Sequence, residues 1–278
     1  MSGETMVQVN GVELCVESFG DPADPAVLLI AGGASSLDWW ADEFCRRLAH
    51  GGRRVIRYDH RDTGRSTSYP AGEPGYTGAD LAADPLALLD ALGVHRAHVV
   101  GLSMGGGIAQ RIAIEHGDRV ATLTLMSTSP GDVEEEQEQG QRQEPPPAPD
   151  WTDPEAAVEG LMRDVRSAAG SVTIGEDGLR RLAERVVGRT RDMAASQVNH
   201  WVAEAGPEPK AGLDAVTAPT LVLHGTEDPL FSLAHGRALA ERIAGARLVP
   251  LEGLGHEHPP PALWDVVVPE ILRHTARG

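Results

Sequence analysis

Lysine is nearly missing from this chain. Lys210 is the single one, and 23 of the 24 basic residues are arginines. Against them stand 41 aspartates and glutamates, for a net charge of −17. That balance argues against a nucleic-acid partner, whose binding rests on positive charge against phosphates. It argues equally against an anionic membrane surface. With abundant Ala, Gly and Pro, the arginine preference reads as compositional bias. Cysteine is also scarce. Cys15 and Cys45 are too few for a metal cage or a disulfide framework, and read as reduced thiols packed in a cytoplasmic fold. Long apolar runs are missing. The longest, near Ala26–Ala34, falls far short of the roughly 20 residues of a membrane helix. Met1-Ser2-Gly3-Glu4 lacks the basic flank and apolar stretch expected of a signal peptide. No internal repeat is visible.

What remains is a chain of 278 residues, 41% hydrophobic and 23% charged, long enough to bury a core without staples. Val12–Phe19, Ala26–Ile30, Arg53–Tyr58, Ala97–Leu102, Val120–Met126, Thr220–His224 and Arg247–Leu251 read as strands. Helical patterns fall between them: Leu37–His50 with Asp38 as a possible cap, Gly78–Leu92, Met104–His116, Leu233–Ile243 and Ala262–Thr275. Pro85 sits inside the second of these. With Asp84 as N-cap and Pro85 at the first helical position the helix would start later, and a break or irregular turn is expected near there. The alternation predicts an α/β fold, a mostly parallel eight-stranded sheet with helices on both faces.

Residues 131–213 break the pattern. They open with an acidic, proline-rich stretch, residues 131–150, too polar to bury itself and expected to be mobile. Helical patterns near Pro154–Ala168, Glu176–Val187 and Asp192–Ala205 follow. The expectation is a core of residues 1–130 and 214–278 carrying an inserted helical cap.

Gly101-Leu102-Ser103-Met104-Gly105 carries the strongest chemical signal. The pentapeptide alone arises by chance in a glycine-rich chain. Here it follows a strand and opens a helix, the context of a nucleophile elbow. A simpler reading makes Ser103 a helix cap. A serine nucleophile needs a base. His256 follows the last strand on a glycine-bounded loop, at the sheet edge where ligands bind. His258 competes with it. The base needs an orienting carboxylate. Asp228, just after a strand, suits that role; Glu227 is adjacent but aimed elsewhere, and Asp132 is the other possible donor. An oxyanion hole would take one N–H from Met104 and one from Ala31-Gly32-Gly33-Ala34, with Gly33 preferred. Trp39 and Trp40 follow that loop, and either one lines an acyl pocket or both pack a helix onto the sheet. His200 and Trp201 are further candidates for substrate contact, with core packing as the alternative.

The elbow with Asp228 and His256 resembles the α/β-hydrolase superfamily. Phe19–Ala26, Val55–Ser66 and Ala97–Gly105 look like the aclacinomycin methylesterase-like serine esterases, which remove a methyl ester from anthracycline polyketides. Ser103–Gly106 is also similar to cofactor-free haloperoxidases and perhydrolases. The likeness runs over residues 5–130 and 214–276 and leaves out the cap. It implies a serine hydrolase acting on a small hydrophobic ester through an acyl-enzyme, with no metal or organic cofactor, as a monomer or homodimer. A lactonase, thioesterase, perhydrolase or carbon–carbon hydrolase on the same triad, or a non-catalytic binding homologue, is the alternative. The resemblance makes Asp59–Ser66 a structural loop in which Asp59, Arg61 and Arg65 form ion pairs.

Overall fold

The computed structural model describes residues 3–131, 133 and 147–276. Eight strands form one sheet: β1 (Thr5–Val9), β2 (Val12–Phe19), β3 (Ala26–Ile30), β4 (Arg54–Tyr58), β5 (Ala97–Leu102), β6 (Val120–Met126), β7 (Thr220–Gly225) and β8 (Arg247–Leu251). Their spatial order is β1-β2-β4-β3-β5-β6-β7-β8, antiparallel at β1-β2 and β2-β4 and parallel elsewhere. The apolar run of β3 is buried along its whole length because both faces are covered. Its side chains alternate. Leu28 and Ile30 join one core, with helices α2 (Gly78–Ala91), α3 (Met104–Glu115) and α7 (Leu233–Arg242). Val27 and Leu29 join the other, with α1 (Asp42–His50) and α8 (Trp264–Thr275).

The first strand went unread in the sequence pattern. β1 is a partly exposed edge strand, joined to β2 by the tight turn Asn10-Gly11 with φ of 48° and 79°. Two other expectations are corrected. Leu37–His50 is not one helix: a short 3₁₀ turn, Leu37–Trp39, precedes α1, and Asp38 is buried within it rather than capping it. Helix α2 does not start late at Pro85. It starts at Gly78, behind a capping box in which Thr77 and Asp80 satisfy each other's backbone N–H groups, and runs through Pro85. The carboxylate of Asp84 is engaged elsewhere, accepting two hydrogen bonds from Arg61 at 2.7 and 2.8 Å.

Between β6 and β7 lie α4 (Pro154–Ala168), α5 (Glu176–Arg189) and α6 (Met193–Val202). Val158, Leu161, Leu179, Ala183 and Val186 give them an apolar cluster of their own. Asp132 and most of the acidic stretch at 131–150 lie outside the described residues. Among the described residues no helix is long and apolar enough to cross a membrane.

Candidate active site

The carboxyl ends of β3, β5, β7 and β8 bring the chemistry to one edge of the sheet. Ser103 ends β5 and opens α3 with φ 53° and ψ −120°, a left-handed backbone that a serine adopts only under constraint. The constraint is visible. Its N–H donates to the Met126 carbonyl at 3.0 Å, and its carbonyl accepts from the Gly106 N–H and the Thr128 hydroxyl, each at 2.8 Å. The flanking glycines are steric requirements. A Cβ on Gly101 would stand 2.2 Å from the Gly105 carbonyl oxygen, and one on Gly105 would stand 2.4 Å from the carbonyl oxygens of Ile30 and Ala31. Those are backbone atoms that cannot yield.

The Ser103 hydroxyl donates to Nε2 of His256 at 2.9 Å, and Nδ1 of His256 donates to Oδ2 of Asp228 at 2.8 Å. Burial by itself raises the Asp228 carboxyl. The His256 hydrogen bond and charge, with the N–H groups of Phe231 and Leu230 at 2.8 and 2.9 Å on Oδ1, outweigh it and hold the group below its ordinary value. An ionised Asp228 keeps the proton on Nδ1 and leaves the Nε2 lone pair facing the serine. The loop is placed by close packing: the His256 N–H donates to the Ala168 carbonyl at 2.7 Å, and a Cβ on Gly255 would meet that same oxygen at 2.2 Å.

The competitors are engaged elsewhere. His258 is half-buried at the cavity wall, edge-on to Trp40 at 4.6 Å and stacked on Trp39 at 6.0 Å. Burial, with His256 nearby, depresses its imidazole to about 3. Glu227 accepts from the Ser171 N–H and hydroxyl at 2.6 and 2.8 Å.

Met104 takes the first helical position of α3, where its N–H has no intrahelical acceptor. Gly33 lies on the loop that follows β3. With Gly32, Ser103 and His256 it lines a cavity of about 290 Å³, whose apolar walls come from Trp39, Leu161, Val165, Trp201, Leu230 and Phe231. Of the two tryptophans after the loop Ala31–Ala34, Trp39 lines this cavity and Trp40 packs against Phe44. Trp201 lies over Gly33 and is 64% exposed, with Leu230 exposed at the same cavity. His200 does not line the cavity. It is buried one residue away, bonded to Ala34 and Arg61.

Several residues here went unread in the sequence. Phe231 meets the His256 ring edge-on at 5.4 Å. His224 donates from Nε2 to the Phe231 carbonyl at 2.8 Å, steadying the turn that holds Asp228, and burial lowers its pKa. The signal for His224 was its place at the end of β7. The Asp59–Ser66 loop holds the ion pairs expected of it: Arg61 with Asp84, Arg65 with Glu4, and Asp59 with Arg189 of α5.

Residues 25–258 match the family model described as alpha/beta hydrolase fold. The chain is 36% identical to rhodomycin D methylesterase DauP of Streptomyces sp. (strain C5), over 97% of each chain. It is 36% identical to rhodomycin D methylesterase DnrP of Streptomyces peucetius, again over 97% of each. The expected likeness to methylesterases therefore holds, and it is wider than expected, since such coverage takes in residues 131–213. Among solved structures, the enol-lactonase from Burkholderia xenovorans LB400 superposes with a TM-score of 0.74 at 25% identity, covering 98% of this chain and all of that one.

Proposed function

This chain belongs to the alpha/beta hydrolase fold family and is an ester-hydrolysing enzyme; from that premise we propose that Ser103, His256 and Asp228 are its catalytic triad. The observation carrying this reading is the unbroken hydrogen-bond relay from Ser103 through His256 to Asp228 beside an apolar cavity. Ser103 Oγ attacks the ester carbonyl carbon as its proton passes to Nε2 of His256. The N–H groups of Gly33 and Met104 hold the oxyanion, and loss of one such donor costs on the order of 10²–10³ in rate. The tetrahedral intermediate collapses, the bond to the leaving oxygen breaks, and His256 returns the proton to give the alcohol. A water then enters, gives its proton to His256 and attacks the acyl carbon; collapse frees the acid and restores Ser103. No step calls for a metal or organic cofactor.

The substrate in this reading is a polyketide-type methyl ester, and the names of the two relatives, both rhodomycin D methylesterases, support the methyl ester. A cavity of about 290 Å³ suits the reacting end of such a molecule, and the exposed indole of Trp201 offers a flat apolar face for the ring system outside it. Helices α4–α6 act as the cap, since Leu161, Val165 and Trp201 wall the cavity. Cys15 and Cys45, free, buried and each pushed up to about 12 by burial, fit a cytoplasmic enzyme. A lactone substrate is the second reading, favoured by the enol-lactonase likeness.

The test is a panel of p-nitrophenyl acetate and butyrate, methyl esters of planar aromatic acids, and lactones, with fluorophosphonate labelling alongside. Labelling of the wild type and not of Ser103→Ala, with turnover of the methyl esters, supports the reading. Turnover of lactones alone moves the assignment to the second reading, and an unlabelled, inactive wild type ends both.

A further inference from the structure

The oxyanion loop is held at both ends by an imidazole that the proposed chemistry does not use. At one end His60, on the loop after β4, donates from Nε2 to the Ala31 carbonyl at 3.1 Å. At the other end the Ala34 N–H donates to Nδ1 of His200 at 2.9 Å. Nε2 of His200 in turn donates to the Arg61 carbonyl at 2.8 Å. These partners dictate the tautomer. The Arg61 carbonyl only accepts, so Nε2 of His200 carries the proton. The Ala34 N–H only donates, so Nδ1 presents its lone pair. The two rings meet edge-on, 5.7 Å apart. Both are buried, and burial lowers both pKa values, that of His60 to about 3.

The loop needs such a hold. Ala34 has φ 58°, a left-handed conformation in which a Cβ crowds the following carbonyl oxygen. Gly32 and Gly33 beside it have no side chains with which to anchor themselves. His200 comes from α6, 166 residues from Ala34 in sequence. Its neighbour Asn199 fixes that helix to the same region of the core, donating to Asp62 Oδ2 at 2.9 Å and accepting from the Gly72 N–H at 2.7 Å.

We infer that His200 and His60 are positioning residues that pin Ala31–Ala34 so that the Gly33 N–H faces the oxyanion. The oxyanion hole is thus a composite of the core and of α6, completed only when α6 is docked. This rests on the esterase reading above, with Gly33 as an oxyanion donor.

The experiment compares wild type with His200→Asn, His200→Gln and His200→Leu on p-nitrophenyl butyrate, with inhibition by an alkyl trifluoromethyl ketone, which forms a tetrahedral adduct on the serine. Asparagine places an acceptor close to where Nδ1 stands; glutamine and leucine do not. Misplacing one donor lowers kcat and ketone affinity together by about 10–100-fold in the Gln and Leu variants, with KM changed less than about threefold. His200→Asn recovers most of both. A merely structural role would lower stability without this parallel loss at constant KM. Where His200→Leu fails to fold, the Asn–Gln pair decides alone. Equal ketone affinity in Asn, Gln and wild type overturns the inference while leaving the esterase reading intact. A wild type that neither hydrolyses the ester nor binds the ketone overturns both.

Discussion

Nε2 of His256 stands 2.9 Å from Oγ of Ser103, although 153 residues separate them in sequence. That bond is useful only while Asp228 keeps the other ring nitrogen protonated. Asp228→Asn can present its amide N–H to Nδ1 and reverse the tautomer, so that Nε2 becomes a donor. The expected loss in kcat is about 10⁴-fold with the fold intact. Ser103→Ala is expected to lose at least as much. Steady-state kinetics with thermal melts check both. An Asp228→Asn enzyme within tenfold of wild type would contradict the assigned tautomer.

Much of the site was legible because each of its chemical groups follows a strand that announces itself. Ser103, Asp228 and His256 come after β5, β7 and β8, and β5 and β7 are buried from end to end. The Gly-x-Ser-x-Gly spacing was readable because backbone collisions enforce it. Elements were misread where a side chain had a distant partner. Asp84 looked like a helix cap until Arg61 claimed it, and Thr77 capped α2 instead. β1 escaped because an exposed edge strand has no continuous apolar run, though Asn10-Gly11 is the turn chemistry of a hairpin. His200 looked like a substrate contact because no local pattern can reveal bonds to Ala34 and Arg61.

Gly33 and Trp201 are mutually exclusive with any side chain between them. A Cβ on Gly33 would lie 2.4 Å from Cη2 of the Trp201 indole. Either the exposed indole swings away or the glycine loop retreats from Ser103, and for the oxyanion donor we propose there a shift of about 1 Å costs about 10²-fold in rate. Gly33→Ala is therefore expected to lose activity, and adding Trp201→Ala to recover part of it. Measured kcat for the single and double variants decides this. A double variant no better than Gly33→Ala would mean the indole is not what the new methyl group meets.

Histidines that the fold desolvates weaken it toward acid pH. Burial first, and nearby cations or imidazoles second, depress His60 and His258 to about 3 and His98 to about 4, from an ordinary 6.5. The unfolded chain binds these protons near 6.5 and the folded one does not. Stability is thus full above that value and falls as pH drops toward the folded values. Each such group contributes a slope of about 1.4 kcal/mol per pH unit in that window. Replacing one ring, as in His258→Phe, is expected to flatten the stability curve between pH 4.5 and 6 by about that slope. Urea melts at several pH values check it, and an unchanged slope would show that His258 takes up its proton in the folded state as well.

Arg189 shows how strongly α5 is tied to the core. Its guanidinium donates to Asp59 Oδ2 at 2.6 Å and to Asp38 Oδ2 at 2.8 Å, and it pairs with Glu4. Both aspartate side chains are fully buried. Arg185, one turn earlier on α5, reaches Asp38 Oδ1 at 2.7 Å, so Asp38 keeps a partner when Arg189 is removed while Asp59 keeps only backbone donors. Arg189→Met then leaves one buried carboxylate without its counter-charge, and truncations of this kind cost about 3–5 kcal/mol. If that uncompensated charge is the cause, Asp59→Asn in the Arg189→Met background removes it and restores part of the loss, whereas Asp59→Asn alone, which takes one of the guanidinium's three carboxylate partners and leaves Asp38 and Glu4, is destabilising. Denaturant midpoints for the two single variants and the double variant test this coupling. Additive losses would assign the effect to lost packing of the arginine stem and not to the ion pair.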